Sequence, residues 1–173
     1  MTHAPNKAIV IRPHAEGDAA ATDSILREAF GGGAEANLVT QLRRSESLVV
    51  ELVAERGTNI AGYIAFPRLR IETASGLIEA AGLAPLAVAP QIQRQGIGSA
   101  LVEEGCMRLA DTGTGIVFVL GNPRYYGRLG FKGDKAARFA SPYAGPNFMA
   151  RVLAANAPAS GAIRYPAAFD ALG

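Results

Sequence analysis

Residues 81–102 read Ala81-Gly-Leu-Ala-Pro-Leu-Ala-Val-Ala-Pro-Gln-Ile-Gln-Arg-Gln-Gly-Ile-Gly-Ser-Ala-Leu-Val102. An apolar strand, Ala81 to Ala89, is interrupted by Pro85 and ended by Pro90. Proline has no N–H to give to a ladder, so one inside a strand marks an edge, a bulge or a splay in the sheet. A loop from Pro90 to Gln95 leads into a helix predicted from about Gly96 to Thr112, with Leu101, Val102, Cys106 and Leu109 on one face and Glu103, Glu104 and Arg108 opposite. The turn Gln93-Arg-Gln-Gly96-Ile-Gly98-Ser99 sits at the start of this helix. The first N–H groups there lack partners and carry partial positive charge. Glycines let a ligand approach the backbone without meeting a Cβ. The combination is a seat for a phosphate or pyrophosphate, with Arg94 as an added positive charge. No Gly-Lys-Ser/Thr follows, which excludes a Walker loop, and Leu101 spoils a dinucleotide fingerprint. A turn needed only for strand–helix packing is the other reading.

On the N-terminal side, Ala8 to Arg12 reads as a short strand closed by Pro13. Gly17-Asp18 starts a helix that runs from Ala19 to Phe30, with Ile25, Ala29 and Phe30 at helical spacing. Gly31-Gly32-Gly33 stops it, and a second helix from about Ala34 to Arg44 carries Leu38, Val39 and Leu42 on one stripe. Leu48 to Ala54 then suits a strand, Gly57-Thr58-Asn59 a turn, and Ile60 to Phe66 its hairpin partner. Phe66 to Gly76 reads as a connection. On the C-terminal side, Gly113 and Gly115 close the long helix and Ile116 to Leu120 is a fully apolar strand, as a buried parallel neighbour would be. Gly121-Asn122-Pro123 opens a short helix to about Leu129, stopped by Gly130. Phe131 onward reads as extended and rich in Gly and Pro, and Gly161 to Tyr165 as a closing strand. The expectation is one α/β domain over 1–173, with a core over about 8–150 and a strand or tail over 151–173.

Composition limits the function classes. With 49% hydrophobic and 18% charged residues the chain has material for a core, and disorder is not expected. Its longest apolar stretch, Ala80 to Pro90, is far short of the ~20 residues of a bilayer span, so no membrane association is expected. The formal net charge of +2 gives no reason to expect nucleic acid. Cys106 has no cysteine partner, and with His3 and His14 it makes no zinc set, so no metal is expected. A polar N-terminus without the succession of a signal peptide points to a reducing cytoplasm.

A second motif, Tyr125-Tyr-Gly-Arg-Leu-Gly-Phe131, follows the buried strand. Aromatic core packing is one fate for it. Two adjacent tyrosines on one short helix cannot face the same way, however, so one is expected to enter the groove beside the strand end, where open α/β sheets bind ligands.

The glycine turn and the tyrosine segment, in this order, resemble the GCN5-related N-acetyltransferase superfamily. Gln93, Gly96 and Gly98 match its Gln/Arg-x-x-Gly-x-Gly/Ala turn, and Tyr126, Gly130 and Phe131 match its Tyr-x-x-x-Gly-Phe segment. Leu83-Ala-Pro-Leu-Ala-Val88, Val117-Phe-Val-Leu-Gly-Asn-Pro123 and Ser141-Pro-Tyr-Ala-Gly-Pro146 look like the YhbS-like branch of predicted acetyltransferases. The resemblance implies a mixed α/β (α+β) fold: a mostly antiparallel central sheet, a splayed parallel strand pair at the acyl-CoA site, and helices on both faces. It implies acetyl-CoA as cosubstrate, an amine of a small molecule or protein as acceptor, and a possible homodimer. Leu86, Ala87, Val88, Gln93, Arg94, Gln95, Gly96, Ile97, Gly98 and Ser99 are the implied cofactor contacts. The backbone N–H at Val88 is the implied oxyanion donor and Tyr126 the implied general acid, with Tyr125 as fallback. Asn122, four residues before Tyr126, departs from the family's usual cofactor asparagine and is given no such role. Glu35, Glu79 or a water path is left to take the amine's proton, and Cys106 is expected to be inert packing. The alternative activity is a non-catalytic acyl-CoA-binding regulatory module.

Overall fold

Two of the expected helices form with the bounds the spacing indicates, and their ends show why. Helix α1 (Ala19–Phe30) is terminated by Gly31, which adopts the left-handed conformation (φ 70°) that glycine takes without a Cβ penalty. Helix α2 (Ala34–Arg44) follows after two more glycines. The computed structural model describes residues 7–172; His3 lies outside them. Strands β1 (Ile9–Pro13), β2 (Leu48–Arg56) and β3 (Asn59–Thr73) form an antiparallel meander.

Two expectations are corrected here. Phe66 to Gly76 is not a connection: β3, 15 residues long in all, continues through Phe66 to Thr73 and turns at Thr73–Gly76 into β4 (Gly76–Gly82). The predicted strand from Ala81 to Ala89 is two strands, β4 and the short β5 (Leu86–Val88). Both pair with β3, β4 with its second half and β5 with its first. Between them the chain bulges: the Ala84 N–H donates to Ala65 O (3.0 Å), while Ala65 N–H donates to Pro85 O (3.1 Å). Two residues thus oppose one, as the missing proline N–H requires.

The bulge matters because of what lies across from it. Strand β6 (Ile116–Leu120) runs parallel to β4, but only Ala81 with Val117 and Gly82 with Phe118 are in register. Leu83 N–H makes a last bond to Phe118 O at 2.8 Å. Beyond it β5 stays with β3, and a wedge opens between β5 and β6. Helix α3 (Ile97–Asp111) lies across one face of the sheet, over Leu52, Ile64, Phe66, Val117 and Val119. Helices α1 and α2 cover the opposite face over Val53, Tyr63, Ala65 and Ala87.

The segment after Phe131 is more regular than the sequence indicates. It forms helix α5 (Gly133–Ala136) after helix α4 (Pro123–Gly127), then β7 (Phe139–Ala140), β8 (Phe148–Val152) and β9 (Gly161–Arg164). β8 completes the sheet beside β6, and β9, the expected closing strand, pairs with both β3 and β7. Among the described residues no helix is long and apolar enough to cross a membrane.

Candidate active site

The ladder between β5 and β3 determines which backbone groups face the wedge. Ala89 N–H donates to Ala61 O (2.9 Å) and Pro85 O accepts from Ala65, so positions 85, 87 and 89 direct their polar groups at β3. Alternation along an antiparallel strand turns the N–H groups of Leu86 and Val88 the other way, into the wedge. Val88 O, on that same outward side, is held by the Gln93 side-chain amide at 3.1 Å.

A groove of about 510 Å³ runs from this strand to the start of α3, lined by Leu86, Val88, Gln93, Arg94, Gly96, Ile97, Gly98, Ser99, Tyr125 and Arg128. Gly96 (φ 82°) and Arg94 (φ 64°) are both left-handed, and together they turn the loop into the helix. The first bond of that end runs from Ala100 N–H to Gly96 O at 3.0 Å, leaving the N–H groups of Ile97, Gly98 and Ser99 directed out of the helix end. At Gly98 a Cβ would lie 2.7 Å from Tyr125 Oη and fill the groove. Arg94 and Arg128 are exposed, and among the described residues neither makes an ion pair. These residues fit a pyrophosphate: open backbone donors, a glycine where a Cβ would intrude, and two uncommitted guanidinium groups.

A second cleft of about 440 Å³ shares Leu86 with the groove and continues through the wedge. Tyr126 forms part of its wall beside Gly121, where a Cβ would come within 2.5 Å of the Tyr126 ring. The ring stands edge-on to Phe131 (5.7 Å) and to Tyr125 (4.9 Å). The two tyrosines therefore divide as expected, Tyr125 into the groove, 3.4 Å from Ser99 Oγ, and Tyr126 into the cleft. Burial, with a smaller contribution from Tyr125, pushes the Tyr126 hydroxyl up to about 12. Helix α4 holds both: Pro123 occupies its first turn and Asn122 Oδ1 accepts from Arg124 N–H at 2.9 Å.

Not every expected site residue reaches the site. Ala87 is buried under α1 on the opposite face, and Gln95 accepts a hydrogen bond from Arg56 at 3.0 Å outside the groove. Gln93 does line the groove, where its side-chain amide braces Val88 O. Glu79 is corrected as a proton acceptor: it is exposed on β4 against Arg70 (3.2 Å) and Arg68 (3.5 Å), outside the cleft lining. Glu35 does line the cleft. Cys106 is buried in the core, and burial pushes its thiol up to about 11. His14 belongs to a packed cluster: its Nε2 is 3.0 Å from an Arg43 guanidinium nitrogen, and burial lowers its pKa.

Some residues of these two walls were not placed at the cofactor site from sequence. Arg128 sits three positions after Tyr125, a spacing that puts both on one helix face and was available as a signal. Tyr165, Phe169 and Leu172, from β9 onward, close the far side of the cleft, and nothing local in the sequence announces it.

The family model described as an acetyltransferase (GNAT) domain matches residues 48–133. The uncharacterized N-acetyltransferase YhbS of Escherichia coli (strain K12) is 36% identical over 125 residues, 72% of this chain and 74% of that protein. The crystal structure of Escherichia coli YhbS in complex with CoA superposes with a TM-score of 0.88 at 31% identity, covering 100% of this chain and 98% of the other. A GNAT family acetyltransferase from Brucella melitensis in complex with acetyl-CoA gives 0.80 at 30% identity, covering 95% and 99%.

Proposed function

The chain belongs to the GNAT family of acetyltransferases, and from that premise we propose how its own residues carry out acetyl-CoA-dependent N-acetylation. One observation carries the reading: the groove at the glycine start of α3 and the cleft walled by Tyr126 meet at Leu86, where the wedge between β5 and β6 leaves the N–H groups of Leu86 and Val88 free. The N–H groups of Ile97, Gly98 and Ser99, with Arg94 and Arg128, hold the pyrophosphate at the positive end of α3. Acetyl-CoA supplies an acetyl group activated as a thioester. The Val88 N–H, with that of Leu86 beside it, donates to the thioester oxygen as charge grows there; one such donor is worth about 2.7–4 kcal/mol of barrier. The N–C bond forms as the C–S bond breaks. The amine gives its proton to water on the open side of the cleft, and Tyr126 donates its hydroxyl proton toward the departing sulfur. An ordinary thiol has a pKa of roughly 8.5, so a tyrosine held near 12 stays protonated beside it. A hydroxyl so placed has no use in a non-catalytic acyl-CoA-binding module. The lone buried Cys106 fits a reducing compartment such as the cytoplasm.

Calorimetric titration with acetyl-CoA, free coenzyme A and NAD tests the seat. Micromolar binding of the two coenzyme A forms without NAD is expected. In Gly98→Ala the added Cβ meets Tyr125 Oη and takes space in the groove, and acetyl-CoA binding is expected to weaken by about tenfold, ~1.4 kcal/mol. Unchanged affinity in that variant removes the glycine turn from the cofactor site.

A further inference from the structure

The cleft beyond Tyr126 has an unusual balance of side chains for the acceptor end of this enzyme. Its floor is aromatic: Phe118 stacks on Phe148 at 5.6 Å, 9° from parallel. Its far wall is aromatic too, with Tyr143 edge-on to Tyr165 (5.1 Å) and Tyr165 to Phe169 (5.4 Å). Three of the large apolar side chains that the protein leaves exposed, Phe30 (45%), Leu120 (54%) and Leu172 (41%), all line this same cleft. Apolar groups left in water at one mouth mark a surface that something apolar covers. Against this background stands one charge. Glu35 is half-buried and is the only ionisable carboxylate among the described lining residues, which include no Lys, Arg or His. Among the described residues it has no ion-pair partner, whereas Glu51, Glu55, Glu72, Glu79, Glu103 and Glu104 all do.

We propose that the acceptor is a primary amine on an aromatic or bulky apolar body, its ammonium drawn in by Glu35 and its body seated on the Phe118–Phe148 floor and the Tyr143–Tyr165–Phe169 wall. This deepens the acetyltransferase reading and rests on it. Acidic acceptors meet an uncompensated carboxylate here and no cation. Polycations and hydroxylated amines leave the aromatic walls in water. A tyrosine face also attracts the ammonium through its ring quadrupole, which adds to the charge of Glu35. The ammonium sheds its proton to water before attack, so the amine that reaches the thioester is neutral and the balance of the transfer is unchanged. An acyl chain longer than acetyl suits an apolar cleft but offers nothing to Glu35, and charge complementarity favours the amine.

The test uses the full chain at saturating acetyl-CoA, with thiol release as the readout and 2-phenylethylamine, ethanolamine, spermidine, aspartate and a lysine-containing peptide as acceptors. Burial of an aromatic body predicts a kcat/KM for 2-phenylethylamine about 10- to 100-fold above those of the other four. Glu35→Gln, which keeps the shape and removes the charge, raises KM for 2-phenylethylamine by about tenfold, with acetyl-CoA affinity and melting temperature unchanged. Phe30→Ala changes an exposed side chain that the fold does not need, and lowers the preference for 2-phenylethylamine over ethanolamine severalfold. Faster turnover of ethanolamine, spermidine, aspartate or the peptide overturns the proposal, as does a KM indifferent to Glu35→Gln. Tighter binding of hexanoyl-CoA than acetyl-CoA, with no preference among amines, also overturns it and assigns the walls to the acyl chain. Acetyl-CoA binding in the calorimeter is read separately, and its loss would instead remove the acetyltransferase site itself.

Discussion

Tyr126, the proton donor of the proposed reaction, shows how surroundings change the chemistry of a single side chain. A solvated tyrosine ionises at roughly 10, and here burial moves the hydroxyl up to about 12. The folded state therefore favours the neutral form. The stability tied to it is complete below pH ~10 and is lost as the pH rises through about 12. In the proposed mechanism the same shift keeps the donor protonated, so a contribution of Tyr126 to kcat is expected to persist past pH 10 in a wild-type pH profile. Tyr126→Phe is expected to lower kcat about 10²-fold while acetyl-CoA affinity stays within twofold, as measured by thiol release and calorimetry. Equal turnover in the variant would transfer the role to Tyr125, whose hydroxyl lies on the groove side near Ser99. Sequence alone was enough to separate these two residues, because neighbours on one helical turn diverge. Which of them entered the cleft depended on Gly121, whose missing Cβ leaves room for the Tyr126 ring.

At the scale of elements, the candidate site depends on where the first turn of α3 sits, and that depends on how closely the helix lies on the sheet. Gly105 makes this possible: a Cβ there would lie 2.1 Å from Phe66, a residue wholly buried in the core. Alanine would gain ~1 kcal/mol of helix propensity over glycine, but overpacking against a ring that cannot retreat costs ~1–3 kcal/mol. The clash wins. Gly105→Ala is expected to lower the melting temperature and, by lifting the first turn of α3, to weaken acetyl-CoA binding together with stability. A higher melting temperature would show that Phe66 has room to move. Helix α3 and its glycine turn were legible because amphipathic spacing and glycine act locally. The break of residues 81–89 into β4 and β5 was legible only as an interruption at Pro85. Its consequence, a wedge facing β6, arises from a pairing with β3 and β6 across many residues of chain.

At the scale of the whole molecule, the helix pair that carries Phe30, Glu35 and Leu38 is fastened to the sheet by polar contacts. Glu51 on β2 accepts from Arg43 Nε of α2 and from the buried Tyr63 hydroxyl on β3, each at 2.6 Å, with His14 beside them. Glu51→Ala would leave a guanidinium and a buried phenol without their acceptor, and an unsatisfied partner of this kind costs about 1–3 kcal/mol. Denaturant unfolding should show that loss, and KM for the amine should rise as the helix wall of the cleft loosens, while acetyl-CoA affinity changes little. No shift of the denaturation midpoint would show that the helices are held by their apolar contacts alone. The sequence by itself determined the α/β class, the two N-terminal helices, the glycine turn at the start of α3 and the divergence of the tyrosine pair, since each follows from periodicity, capping or backbone freedom within a few residues. Only the tertiary structure decided that Glu79 stands outside the cleft among arginines, that Ala87 and Gln95 face away, and that Arg128, Tyr165, Phe169 and Leu172 help line the two walls. Those outcomes depend on strand register and on which distant segments pack together, and the free energy of such contacts belongs to pairs of residues far apart in the chain.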